Sequence, residues 1–386
     1  MDIALIFDYS RDRITGGPQG VAYDTMEGLK KNHRILEKED ININILSSTG
    51  TTFRSLFEND DTYSNISIEY FKKMVPSAFL SDINFLLHIK KRGKKIDLLH
   101  SHALSGALIG TVIKVPTVLT LHGMVWKEKY YAPNFYSRLT VEMNLLRFRY
   151  ISSRLKKVFA ISPYVTDEIE TFLGRKYANS VLIENPVSDV FFTMQKKETE
   201  NLLIYPGVIT PRKNQICVIR ALARLKKDNE KFHCVLPGSI GDINYFNDIK
   251  KLIKIHDLEK NVTVPGPLPF KKLSDLFSEA SIMVMTSLQE TAPLVISEAM
   301  ASGTPVIAPD ISGIPYMVSD GNSGFLIDPA SPEDIADHIS VLLNDCSLRE
   351  KFKENSKQIA ESRWKSEIIV KKQLDEYIKL RDMNST

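Results

Sequence analysis

The sequence predicts an α/β protein of two doubly wound, mostly parallel sheets, and three observations carry that expectation. Short apolar runs of strand length alternate with amphipathic stretches of helix length along the whole chain, as in a succession of βα units. The alternation breaks at the polar stretch MQKKETEN, residues 194–201, and restarts with LLIYPGV at Leu202. The third observation is size: 386 residues exceed one ordinary core and point to two domains of about 150 to 200 residues each.

In chain order, IALIFDY reads as a first strand. A turn carrying Thr15, Gly16, Gly17, Pro18 and Gly20 follows, then a helix through Leu29, the β-turn-α opening of many phosphate-binding folds. Further strands are expected at residues 43–46, 98–100, 117–121 and 158–161, and Asn185-Pro186 closes this first domain, residues 1–187. The second domain, residues 200–369, repeats the scheme with strands from Leu202 and at residues 232–236, 262–264, 282–285, 304–308 and 324–327. A last amphipathic helix, residues 364–380, carries Ile368, Ile369, Leu374, Tyr377 and Ile378 between charged residues, the pattern of a helix packed on a domain surface.

Composition narrows the class. An apolar content of 43% with 25% charged residues is that of a soluble globular protein rather than a disordered or fibrous one. Cys217, Cys234 and Cys346 show no Cys-x-x-Cys spacing, so neither zinc nor a disulfide framework is expected, and a reducing compartment fits. The start MDIALIFDY lacks the basic and apolar segments of a secretion signal, and no run approaches the length of a membrane span. The expected location is cytoplasmic. Net charge is only +3, yet residues 71–157 hold 16 Lys and Arg against four acids. Such an island attracts phosphate-rich partners. Nucleic acid is not expected, because no recognition motif accompanies the charge. The dense runs KKRGKK (Lys90–Lys95) and RFRYISSRLKK (Arg147–Lys157), interleaved with Phe79, Leu80, Phe85, Leu86, Leu87, Leu145, Leu146 and Phe148, read as basic amphipathic helices for an anionic membrane surface. The alternative is that these apolar residues face the core.

The strongest local signal is MTSLQETAPLVISEAMASGTPVIAPDISGIPYMV, residues 285–318. A strand is followed by Glu290, a helix start, Glu298, small residues and a second strand. Pro293 belongs in a helix's first turn and Thr291 is a good cap, which puts Glu290 in the loop and Glu298 about two turns into the helix. A carboxylate accepts two hydroxyl hydrogen bonds, which suits a vicinal diol, and the N–H groups of Thr291, Ala292, Pro293's neighbours Leu294 and Val295, at the helix start, suit a diphosphate. The segment resembles the signature of the family 4 glycosyltransferases, with Glu-x7-Glu and E-A-M-A-x-G-x-P-V-I matched by Glu290, Glu298, Ala299, Met300, Ala301, Gly303, Pro305, Val306 and Ile307. A second segment, YPGVITPRKNQICVIRAL (residues 205–222), resembles the family's G-R-L-x-x-x-K-G. Gly207 and Lys213 match, while Val208 stands in place of the Arg and Asn214 in place of the last Gly. Arg212 is the nearest replacement cation. In the first domain, Gly16 and Gly17 resemble the glycine loop, and His100, His102 and His122 fall in segments similar to H-x-H and T-x-H-D, with Gly123 in place of the Asp. Ser162 and Asn185 lie in two further similar segments. Each residue also has a plain structural reading: solvated acids or bases, tight-turn glycines, helix caps, and histidines that merely end buried strands.

The resemblance implies a GT-B fold of two Rossmann-like domains with an interdomain cleft, and a last helix crossing back to the first domain over about residues 370–386. It implies a retaining, hexosyltransferase-type enzyme using a nucleotide-diphosphate sugar. Catalytic residues would be His122, Lys213 and Glu290. The donor would be held by Gly16, Gly17, Gly207, Arg212, Lys213, Leu268, Glu290, residues 291–295 and Glu298. Glu298 would take the ribose and Glu290 the transferred sugar. With no Asp-x-Asp, HExxH or Cys/His cluster in the sequence, no metal or other cofactor is expected. The expected acceptor is a saccharide, lipid-linked, in cell-surface polysaccharide or lipopolysaccharide synthesis, reached from the inner face of the membrane. Two rivals share the fold: a sugar-nucleotide epimerase, which needs no acceptor, and a non-catalytic scaffold, which the loss of Arg at Val208 would favour.

Overall fold

A computed structural model of the chain describes residues 1–7, 9, 16–49, 58–59, 64–72, 95–128 and 135–385. The chain divides into two units: Met1–Arg13, Pro18–Pro186 and Ser366–Thr386 in the first, Ile14–Gly17 and Val187–Lys365 in the second.

Among the described residues the first unit has eight strands: β1 (Asp2–Ile6), β2 (Asn42–Thr49), β3 (Glu58–Asn59), β4 (Ile66–Lys72), β5 (Leu98–Ser101), β6 (Thr117–Leu121), β7 (Lys157–Ala160) and β8 (Ser180–Leu182), ordered β3-β4-β2-β1-β5-β6-β7-β8. All neighbours are parallel except β3 and β4. The central strands are apolar on both faces: Ile3, Ala4, Leu5, Leu98, Leu99, Val118 and Leu119 are all buried, as a sheet covered on both sides by helices requires. The helix Ser366–Ser385 belongs to this unit's core, burying Ile369, Val370, Leu374, Tyr377 and Leu380 with Ile3, Leu5, Met26 and Phe159. Its approach to the helix Gly17–Lys31 depends on Gly28, where a Cβ would lie 2.5 Å from the Ser366 carbonyl oxygen. Arg381 Nη2 reaches Glu39 Oε2 at 3.0 Å near the other end of that helix.

The second unit has six strands, all parallel: β9 (Leu202–Ile204), β10 (His233–Pro237), β11 (Val262–Gly266), β12 (Ile282–Val284), β13 (Val306–Pro309) and β14 (Gly324–Ile327), ordered β11-β10-β9-β12-β13-β14. From β9 the chain winds outward to β11, then returns to the other side of β9 with β12. Such a reversal leaves a crevice beyond the carboxyl ends of the two flanking strands, where ligands of open α/β sheets bind. In the first unit the same reversal lies between β1 and β5.

The expected strands do not include β3, β4 or β8; β3 is only two residues long. β4 alternates buried Ile66 and Ile68 with polar residues and has no continuous apolar run, and β8 is three residues long with a half-exposed pattern. Among the described residues no helix is long and apolar enough to cross a membrane.

Candidate active site

Strands β9 and β12 supply the two loops of the second unit's reversal. After β9, Tyr205–Gly207 leads into a 3₁₀ turn, Pro211–Lys213, and then the helix Gln215–Lys227. The turn closes at Asn214, whose φ of 54° is left-handed. Asparagine tolerates that conformation better than other residues with a side chain, which explains how it fills the place of the family's glycine. After β12 come Thr286, Ser287 and Glu290. Tyr205, fully buried, ties the two loops together: its hydroxyl donates to the Lys213 carbonyl and accepts the Thr286 N–H at 3.2 Å. The Leu288 N–H donates to the Arg212 carbonyl at 2.8 Å, and the Thr286 hydroxyl to the Asn214 carbonyl at 2.9 Å.

This scaffold brings the acid and both cations together. Lys213 Nζ donates to Glu290 Oε1 at 2.5 Å. Arg212 Nη1 lies 3.3 Å from the same oxygen and donates to the Gln289 carbonyl at 2.9 Å. The Lys213 and Glu290 side chains are 12% and 10% exposed, so Lys213 is no solvated surface lysine, whereas Arg212 keeps more of its surface in solvent. Burial alone would raise the Glu290 carboxyl, but the charges of Lys213 and Arg212 outweigh it and hold the group below the usual carboxylate range. The group is therefore an anion at neutral pH.

Three glycines floor the loops at the carboxyl ends of β9, β10 and β11. The Gly207 N–H bonds to the Pro237 carbonyl at 2.9 Å and the Gly238 N–H to the Gly266 carbonyl at 3.0 Å. A Cβ on Gly238 would lie 1.9 Å from the Gly207 carbonyl oxygen, so backbone must meet backbone here. The sequence reading missed Gly238. Its signal was the Pro237-Gly238-Ser239 turn directly after a strand-like run.

The helix after β12 corrects one expectation. It spans Leu294–Ser302 with Pro293 at the N-cap, ψ 121°, and no side-chain cap. Thr291 is therefore not the cap, and Glu298 is the fifth residue, little more than one turn in rather than two. Proline's fixed φ serves the cap position as well as the first turn. Thr291, Leu294 and Glu298 are buried and Ala292 and Val295 pack on the core, so the helix start that follows Glu290 is anchored in the core. Leu268, between β11 and the helix Phe270–Glu279, also packs its side chain on this core.

In the first unit, the carboxyl-terminal ends of β5 and β6 carry a histidine row. His100, buried within β5, is 2.7 Å from Thr120 Oγ1 and 2.5 Å from the Tyr377 hydroxyl, so it is a core hydrogen-bonder. His102 and His122 lie just past their strands, with His122 Nε2 2.9 Å from His102 Nδ1. Burial pushes His100 down to about 3, His102 well below the usual value and His122 down to about 4, so all three are neutral at pH 7. Among the described residues, His102 Nε2 is buried with no hydrogen-bond partner. A bare nitrogen there costs less than an orphaned N–H, which places the His102 proton on Nδ1, donated to His122 Nε2, and the His122 proton on Nδ1. Gly16 and Gly17, at the start of the helix Gly17–Lys31, are exposed with φ of 92° and 48°. Ser162 sits at the N-cap of the helix Pro163–Leu173 without a side-chain cap bond, and Asn185 is buried beside Pro186.

A doubly wound sheet that converges an acid and two cations on its reversal belongs to the class of α/β proteins that bind anionic ligands there. Comparison with known proteins narrows the class. The family described as glycosyl transferases group 1 matches residues 188–359, and the one described as Glycosyltransferase Family 4 matches residues 34–190. An uncharacterized glycosyltransferase of Methanocaldococcus jannaschii is 26% identical over 83% of this chain and 86% of its own. A D-inositol 3-phosphate glycosyltransferase of Paenarthrobacter aurescens is 26% identical over 66% of each chain. Among solved structures, an Anabaena protein, HepE, in complex with UDP and glucose superposes with a TM-score of 0.75 at 18% identity, covering 98% of this chain and 99% of its own. Sucrose-phosphate synthase of Thermosynechococcus elongatus gives 0.76 at 20% identity, covering 99% of both. Each half of the chain thus matches a glycosyltransferase family model, and the chain is a glycosyltransferase of the GT-B fold.

Proposed function

We propose that the protein is a retaining glycosyltransferase that moves a sugar from a nucleotide-diphosphate sugar to a hydroxyl of a saccharide acceptor, lipid-linked and met at the inner face of the membrane, in cell-surface polysaccharide or lipopolysaccharide synthesis. The observation that carries the donor assignment is the convergence of Lys213 and Arg212 on Glu290 at the β9/β12 reversal. Two cations beside a helix start suit a diphosphate without a metal ion, and an ionised carboxylate among them suits sugar hydroxyls. The Anabaena structure's UDP and glucose support the same donor class.

In this reading Glu290 accepts hydrogen bonds from the transferred sugar, Glu298 holds the ribose, and Lys213 with Arg212 neutralises the charge that grows on the leaving diphosphate. The acceptor hydroxyl attacks the anomeric carbon on the face the diphosphate leaves. The C–O bond to acceptor forms as the C–O bond to phosphate breaks, and the hydroxyl proton passes to the departing phosphate oxygen. The chain then needs no nucleophile of its own. His122, neutral and carrying its proton on Nδ1, serves as a donor to the transferred sugar rather than as a base.

The test is thermal stabilisation by a panel of nucleotide sugars, where a ligand at 100 times its dissociation constant adds about 2.7 kcal/mol. NMR of the product formed from the stabilising donor then reads the anomeric configuration. Stabilisation by none of the panel would overturn the donor assignment, an inverted product the retaining mechanism, and turnover of the donor without acceptor would favour an epimerase.

A further inference from the structure

The helix Phe135–Ser152 of the first unit has an apolar face on each side. Val141, Phe148 and Ile151 are buried, and Phe148 packs at a tilt against Trp126 and Phe172. Phe148 therefore belongs to the core, unlike the reading that grouped it with a surface stripe. On another side, Leu139, Met143, Leu146 and Tyr150 are 48%, 39%, 67% and 46% exposed. Their spacings of four, three and four residues line them up along one face. A helix on a soluble protein ordinarily carries charge there, and a row of large exposed side chains marks a docking surface.

Charge identifies the occupant. Arg138, Arg147 and Arg149 lie beside the stripe and Arg154 just beyond it, against the helix's single acid, Glu142. Arg154 stacks over the Tyr150 ring with its guanidinium 3.9 Å from the centroid, extending the apolar row with a planar cation. A second copy of the same face would set arginine against arginine. An anionic leaflet meets both features at once, taking the side chains at its acyl boundary and the guanidinium groups at its phosphates. We propose that Leu139, Met143, Leu146 and Tyr150, rimmed by these arginines, seat the enzyme on an anionic lipid surface. This rests on the reading of a membrane-borne acceptor and names the surface that reaches it. The other basic run and its apolar neighbours, from Phe79 to Lys94, lie outside the described residues and take no part in the argument.

The experiment is co-sedimentation of the full chain with vesicles of phosphatidylcholine alone or with phosphatidylglycerol, at low and high salt. It compares wild type with Leu139→Ser/Leu146→Ser and Arg138→Gln/Arg147→Gln, three exposed positions and the half-buried Arg147, all outside the donor site. Wild type should sediment only with the anionic vesicles, and each double variant should lower the partition coefficient by about tenfold. Salt should release wild type strongly and the arginine variant weakly. Wild type remaining in the supernatant at low salt, or variants sedimenting like wild type, overturns the proposal. So does a lipid-free dimer abolished by Leu146→Ser, which makes a second copy the occupant. Nucleotide-sugar stabilisation, measured on the same samples, keeps the two readings apart. Lost vesicle binding with an intact donor response defeats the surface alone, and vesicle binding with no donor response in wild type defeats the donor assignment alone.

Discussion

Lys213 Nζ and Glu290 Oε1 lie 2.5 Å apart although 77 positions separate the residues in sequence, and Arg212 approaches the same oxygen at 3.3 Å. The pair bridges the two loops on either side of the sheet reversal. On the proposed donor assignment, a diphosphate bound there would share the ammonium with Glu290, and the acid would set how tightly the cation is held before the donor arrives.

Lys213→Ala is expected to destabilise the protein by about 3 kcal/mol, because it strips a nearly buried carboxylate of its closest partner. Adding Glu290→Gln should recover most of that loss. Urea unfolding of the two single variants and the double variant measures the coupling, and strictly additive losses would count against it.

Kinetics should separate the donor residues. Lys213→Ala should lower kcat by at least about tenfold, since its charge meets one that grows as the diphosphate leaves. Glu298→Gln should chiefly raise the donor KM. Steady-state rates with the donor found by thermal screening read the split, and wild-type kinetics in both variants would refute the site.

Chelation should matter little. With Lys213 and Arg212 to meet the diphosphate, EDTA is expected to cost less than about threefold at saturating donor. Loss of activity restored by magnesium or manganese would show that a metal ion shares the task.

Gly238→Ala should cost about 2 kcal/mol and weaken donor binding together, because the new methyl meets the Gly207 carbonyl and must displace the loop that carries Lys213. Denaturant melts and donor titrations of the same sample test this. A variant as stable as wild type would mean the two backbones separate freely.

The histidine row makes stability fall in mild acid. The folded pKa values of His100 and His122, about 3 and about 4, lie below their unfolded values near 6.5, so the unfolded chain binds more protons in that interval. Stability is fully present above about pH 6.5 and declines as the pH falls towards 4 and below. Melting curves across that range should show the decline. Nitrogen-15 spectra at pH 7 should find the His122 proton on Nδ1, and His102→Phe should redistribute it between the nitrogens; an unchanged tautomer would sever the link between the two rings.

Much of this architecture is legible in the sequence where one physical signal dominates. Buried parallel strands must be apolar on both faces, so runs such as Leu202–Ile204 and Ile282–Val284 announce themselves, and the restart at Leu202 announces a second sheet. Signals that depend on a distant partner are not legible. Nothing local to Glu290 states that Lys213 will meet it, nothing near Gly238 names the Gly207 carbonyl, and nothing in the Tyr205 segment shows that its hydroxyl will pin two loops. Asn214 looked like a departure from the family pattern, whereas its left-handed φ preserves the turn that the glycine makes. Thr291 was misplaced as a cap because Thr and Pro compete for neighbouring positions at a helix start, and local preference does not decide between them.

The placement of the helix Ser366–Ser385 governs the order in which a nascent chain is completed. Its residues cover Ile3, Met26 and Leu29, yet the ribosome makes them after all six strands of the second unit. The later sheet is free to close while the earlier one still lacks part of its covering. During that interval the first sheet exposes an uncovered apolar face, the situation in which folding intermediates attract chaperones or aggregate. Maturation of the amino-terminal unit is thereby timed by the opposite end of the chain, and a stop codon before Ser366 would spoil the unit translated first while leaving the one translated second able to fold.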